Sequence, residues 1–224
     1  SWLLFLDSDV IPNQSNFIDL YCTEIQKQKN DTVFFGGYNY SSTLPNKSRT
    51  LRWHYGHNRE YAVPEKRNKN PYSYVFSGNF VINKSTFLKI PFPEYSSYGM
   101  DIFFSYYLYS SSLSIKHINN PIVHLGLEEN TVFFGKCLES VRLRHQLTFD
   151  YPKIVKINSL LKYHRFLNKM YLAKLAAICF RSIAPLLKKM IIARKPNLIC
   201  LDVYRLGYLC TLKSPKESIL QIIN

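Results

Sequence analysis

The chain is short of acid, of glycine and of long apolar runs, and each shortage narrows what it can be. Fifteen Asp and Glu stand against twenty-nine Lys and Arg, and the net charge of +14 calls for an anionic partner or surface. No apolar run reaches about 18 residues, which excludes an ordinary spanning helix. No basic segment followed by an apolar stretch opens the chain, so a secretory signal is not expected. Eight glycines and no visible repeat argue against a solenoid or a low-complexity protein. The five cysteines (Cys22, Cys137, Cys179, Cys200 and Cys210) are odd in number and lack CxxC spacing. A zinc site is therefore not expected, and they read as buried or half-buried thiols in a reducing compartment. What is present is ample core material. Hydrophobic residues make up 46% and aromatics 15%, which excludes a disordered chain. At 224 residues there is room for one good domain and an appendage.

The most telling stretch is SWLLFLDSDVI at the start. Its apolar run, 2–6, reads as a strand buried on both faces, as in a parallel sheet. It ends in Asp7 and Asp9 with Ser8 between them. Ligands of open α/β sheets bind at such carboxyl ends. Strand alternation would place Asp7 and Asp9 on one side, where they could hold a hard divalent cation and, through it, phosphate oxygens. The plainer alternative is a turn or capping role for Asp9 before Pro12. Haloacid-dehalogenase-type phosphatases share a strand followed by DxD, but they need a second acidic cluster. After Asp31 the only aspartates here are Asp101, Asp150 and Asp202.

Further along, the pattern predicts a helix over 16–29 with Ser15 as its cap and a strand over 32–35 stopped by Gly36-Gly37. A helix follows near 50–61 and a loop over 64–71. Strands at 74–76 and 80–82 flank Ser77-Gly78-Asn79, where a glycine between strands permits close approach of a ligand or backbone. A short helix over 83–90, a helix over 100–109, strands at 113–118 and 121–124, and a helix over 128–147 complete this part. Asp101 opens the 100–109 helix, either as a plain partner of the helix dipole or as a general base facing a cleft. His124 ends its strand, either as a structural residue or as a third group completing the cation site.

The composition changes at Tyr151. Residues 151–213 hold thirteen Lys or Arg and one acid, Asp202. A helix is predicted over 159–195, kinked at Pro185, with Lys174, Arg181, Lys188 and Lys195 on one face and Leu167, Tyr171, Leu175, Ile178 and Leu186 on an apolar side. Pro196-Asn197 breaks it before a last apolar segment, 198–209. This tail suits an anionic membrane surface, a nucleic-acid backbone, or simple packing with a solvated basic face.

Taken in order, DSDV, FSGNF, YGMD with the following FFSYYL, and NPIVHLGLEEN resemble the C-terminal part of a family 2 glycosyltransferase of the GT-A fold. LRWHYGHNREYAVPEKRNKNPY is similar to the segment before the Gly-Asn loop in bacterial members. The resemblance covers about residues 1–150 and implies an α/β, GT-A-like mixed sheet flanked by helices, with 151–224 as a basic helical extension. It implies an inverting, metal-dependent enzyme that moves a sugar from a nucleotide-sugar donor to a cell-surface glycan or lipid-linked acceptor. Asp7 and Asp9 would hold Mn2+ or Mg2+, His124 would contact the metal or diphosphate, and Asp101 would be the base. Ser8, Ser77, Gly78, Asn79, Gly99 and Met100 would line the donor and acceptor pocket. Two departures stand out. Met100-Asp101 replaces an acidic pair, and the family's N-terminal nucleotide-base-binding part has no counterpart before Ser1. The alternative is a non-catalytic remnant that binds membrane or glycan. The resemblance also favours the membrane for the tail, at the cytoplasmic face of the plasma membrane, and no nucleic-acid partner is expected.

Overall fold

The computed structural model describes residues 1–27, 32–93 and 97–213. They divide into two compact units. One is drawn from 1–96 and 101–129, the other from 97–100 and the chain from 130 onward. The second unit therefore takes in the long helix before Tyr151 as well as the basic tail.

The first unit is α/β with two mixed sheets. Its strands are β1 (Trp2–Leu6), β2 (Val10–Pro12), β3 (Val33–Phe35), β4 (Tyr38–Tyr40), β5 (Asn79–Asn83), β6 (Ile115–His117) and β7 (Ile122–His124). Its helices are α1 (Phe17–Lys27), α2 (Thr50–Tyr55), α3 (Pro64–Lys69), α4 (Lys84–Phe87) and α5 (Asp101–Ser110). The first sheet runs β1-β5-β3-β6, with β5 antiparallel to both neighbours and β3 parallel to β6. The second runs β2-β7-β4, antiparallel then parallel. The inner strands carry the core. Val33, Phe34, Phe35, Phe80, Val81 and Ile82 are all buried. Phe80 stacks against Phe35 and meets Phe104 of α5 at 5.1 Å between ring centroids. Rings this large and this close supply much of the burial that stabilises so small a sheet.

Several elements differ from the sequence reading. β1 is not buried on both faces and not in a parallel pairing. It lies antiparallel to β5 at the sheet edge, with Leu4 and Leu6 exposed. An apolar run reports burial potential, not the number of neighbours a strand has. The 64–71 stretch is not a loop. Val63 is extended, Pro64 sits in the first helical turn where its missing N–H costs nothing, and Glu65 suits the dipole. Residues 74–76 form no strand, and β5 starts at Asn79. The first helical bond of α1 is accepted by Asn16, so Asn16 rather than Ser15 holds the cap position. Residues 28 and 29 of that expected helix lie outside the described residues.

The second unit holds α6 (Asn130–Asp150), α7 (Ser159–Lys169), α8 (Ala173–Ile191) and α9 (Leu198–Thr211). Tyr204 of α9 meets Phe134 of α6 at 4.9 Å and Phe180 of α8 at 4.8 Å, both edge-on. Gly207 lets Phe180 lie against the α9 backbone, since a Cβ there would enter the ring. Asn158 and Asn197 cap α7 and α9 by accepting from Leu161 and Cys200 backbone N–H groups. The expected single helix over 159–195 is broken at 170–172, and α8 continues through Pro185. Tyr171 has φ +57°, and Leu172 N–H reaches back to Leu167 O at 2.8 Å. That is a left-handed cap closing α7. The five cysteines are free, with Cys22 and Cys179 exposed rather than buried.

Candidate metal centre and acid cluster

Asp7, Ser8 and Asp9 form the connection from β1 to β2, so they sit on a turn and not along a strand. Strand alternation is therefore not what brings the two acids together. Asp7 extends the β1–β5 ladder by one bond, its N–H donating to Gly78 O at 3.1 Å. Asp9 is tied to the other sheet, its carbonyl accepting from Leu125 N–H at 2.9 Å. The register of β7 does the rest, since His124 faces Val10 of β2 on one side and Tyr40 of β4 on the other. One ligand atom from each of Asp7, Asp9 and His124 lies within 4.8 Å of the other two. His124 Nε2 is 3.7 Å from Asp9 Oδ2.

Two carboxylates and an imidazole are groups that could hold a divalent cation. Ligands on opposite sides of an ion with bonds of about 2.1 Å are about 4.2 Å apart. Burial lowers the His124 pKa, and Arg52 adds to this against the opposing pull of Asp9, Glu60 and Asp7. The ring is thus held neutral, the form that ligates metals. Its Nδ1 is buried with no hydrogen-bond partner among the described residues. Both carboxylates are exposed and open to a ligand.

Two glycines make the cluster possible. A Cβ at Gly78 would strike the Asp7 carboxylate and the Tyr38 hydroxyl, and a Cβ at Gly126 would strike the Asp9 carboxylate. Tyr38 OH donates to Asp7 Oδ2 at 3.0 Å. Burial and the nearby Asp7, Asp101 and Glu60 carboxylates push the Tyr38 pKa up, so it stays a donor.

Asp101 reaches the same loop. Ser77 N–H donates to Asp101 Oδ1 at 3.2 Å, while the next residue, Gly78, touches Asp7. One dipeptide therefore joins the helix-start acid to one acid of the Asp7, Asp9 and His124 cluster. Burial raises the Asp101 pKa, hydrogen bonds from Ser77 oppose it, and the Asp7 and Glu60 charges raise it further. A carboxylate of raised basicity is suited to accept a proton.

Behind the cluster, Arg52 holds Glu60 at 2.8 Å and lies over the Tyr40 ring at 5.3 Å. Tyr40 OH also donates to Glu60. The Tyr40 and Tyr38 rings stand 5.7 and 6.1 Å from the His124 ring and fix its plane. Glu60 closes a single π turn, Gly56–Glu60.

The remaining expected site residues are placed differently. Ser8 is exposed at the turn. Asn79 is buried, with its amide engaged by Tyr21 OH, Gly37 O and Asn120 O, so it locks the loop from within. Gly99 and Met100 belong to the second unit, where Gly99 takes φ +95° against Ser140. A shallow cavity of about 510 Å³ lined by Leu6, Pro12, Asn13, Gln14, Ser15, Phe17 and Ile18 adjoins the end of β1.

Sequence reasoning missed Tyr38, Gly126, Arg52 and Glu60. The first two closely follow features it did single out, Gly36-Gly37 and His124. Arg52 and Glu60 lie in a charged stretch where nothing local marks them. No protein-family model matches the chain, and no curated protein matches it.

Proposed function

We propose that the first unit belongs to a GT-A-type glycosyltransferase of family 2 character. It moves a sugar, with inversion, from a nucleotide-sugar donor to the hydroxyl of a glycan or lipid-linked acceptor. The observation that carries this reading is the Ser77-Gly78 dipeptide, which binds Asp101 through one residue and abuts Asp7 through the next. On this reading Asp101 is the proton acceptor and Asp7 belongs to the cation site, the two groups that such a displacement would use. A divalent cation held by Asp7, Asp9 and His124 would offset negative charge on the departing diphosphate. Tyr38 fixes the Asp7 carboxylate by its hydrogen bond. Asp101 accepts the proton of the attacking hydroxyl, an effect worth about 10²- to 10⁴-fold.

The test is Mn2+ binding and donor turnover on the protein with a panel of nucleotide sugars. Asp9→Asn should abolish both. Asp101→Asn should keep Mn2+ binding and lose turnover by at least about 10²-fold. Chelator-resistant turnover, or full turnover in Asp101→Asn, would overturn the assignment. Mn2+ binding with no turnover on any donor would favour the non-catalytic alternative.

A further inference from the structure

In the second unit both α7 and α8 expose apolar side chains. Along α7, Tyr163, Phe166 and Met170 are exposed at helical spacing, and Lys162, Arg165 and Lys169 run beside them one residue earlier in each turn. The cap residue Tyr171 is 93% exposed. Along α8, Ala177, Phe180, Leu187 and Ile191 face inward, whereas Leu175, Ile178, Ile183 and Leu186 face outward. The sequence reading grouped part of this outward set as an apolar side, and packing leaves it uncovered. Lys174, Arg181 and Lys188, seven residues apart, line one margin of that outward face.

We infer that α7 and α8 lie in the interface of an anionic lipid bilayer, with the outward apolar residues among the acyl chains and the flanking cations at the headgroups. An exposed apolar stripe alone would not name its partner, but its margin does. Every charged residue of α7 and α8 is Lys or Arg. A second copy of this face would bring like charges together, and an anionic surface would satisfy them. Nucleic acid would meet the cations and leave Phe166, Leu175 and Leu186 in water. A spanning arrangement is disfavoured too. No single helix among the described residues is long and apolar enough, and the α7–α8 pair, which would suffice by length and composition, turns through 117° at its break. Lys174 and Arg181 would also have to enter hydrocarbon. The inference rests on the second unit alone and stands whether or not the first unit transfers sugar.

The experiment is flotation with phosphatidylglycerol–phosphatidylcholine vesicles and with phosphatidylcholine alone. A Phe166→Trp variant is then probed with lipids brominated at shallow or deep acyl positions, with the parent protein as the background for Trp2 and Trp53. Binding should favour the anionic vesicles by at least about tenfold and weaken in about 0.5 M salt. Shallow bromines should quench the introduced indole more than deep ones. The triple variant Phe166→Ser, Leu175→Ser, Leu186→Ser should bind at least about tenfold more weakly while melting as the parent does. Stronger deep quenching, or retention in alkaline carbonate, would overturn the interfacial placement. Equal binding by the triple variant, tighter binding to RNA than to vesicles at the same salt, or a dimer that the triple variant abolishes would overturn the assignment to lipid. Donor turnover without vesicles is unaffected by these variants, so this test fails or passes separately from the sugar-transfer reading.

Discussion

At the scale of single residues, the site depends on what is missing at Gly78. The space a side chain would fill is taken by the Asp7 carboxylate and the Tyr38 hydroxyl, which are hydrogen-bonded to each other. Gly78→Ala should therefore displace Asp7 and weaken Mn2+ binding by at least about tenfold, read by titration calorimetry. Gly135 in α6, with open space around it, is the control glycine, and Gly135→Ala should leave Mn2+ binding unchanged. The sequence marked Gly78 through its position between apolar stretches, but the identity of what approaches it came from the Asp7 N–H to Gly78 O bond.

At the scale of elements, the break between α7 and α8 is held by a residue poorly suited to it. Tyr171 adopts φ +57°, a left-handed conformation that a β-carbon disfavours by roughly 1–2 kcal/mol. Tyr171→Gly should relieve that strain. After the greater entropy of glycine in the unfolded chain is deducted, a net stabilisation of about 0.5–1 kcal/mol is expected, seen as a raised Tm. Periodicity could not find this break, because apolar and basic residues keep helical spacing on both sides of it. Pro185 lies inside α8, which continues through it, because losing one N–H from a long packed helix need not end it.

At the scale of the whole molecule, stability should fall in acid through a group no motif marks. His117 of β6 is buried between Arg67 and Pro71. Arg67 can only donate, so His117 Nδ1 accepts from it, and the ring's proton lies on Nε2 and is donated to Pro71 O. Burial above all, and then the Arg67 charge, lowers the His117 pKa to about 4 against the opposing Pro71 bond. Since the folded pKa lies below the unfolded value near 6.5, the unfolded chain takes up the proton first. The contribution is complete above about pH 6.5 and is lost as pH falls toward 4, on the order of 2–3 kcal/mol. A Tm measured from pH 7 to 4 should decline, and His117→Gln should flatten that decline. The same Arg67 binds Phe35, Gly36 and Ile118 carbonyls, joining β3 to the end of β6 from a buried position.

The sequence by itself determined the local chemistry: the acid pair at the end of an apolar run, a glycine where something must come close, an acid at a helix start and a strongly basic tail. These depend on residue type and near spacing, which the chain carries openly. Only the tertiary structure decided that Asp7 and Asp9 meet on a turn between two sheets, that His124 arrives there through β7 register, and that Arg52 and Glu60 stand behind it. It alone also left the apolar side of α7 and α8 facing out. Those outcomes depend on which strands pair and which faces find neighbours. Such pairings are set by the balance of burial over the whole chain, and no short stretch of sequence holds it.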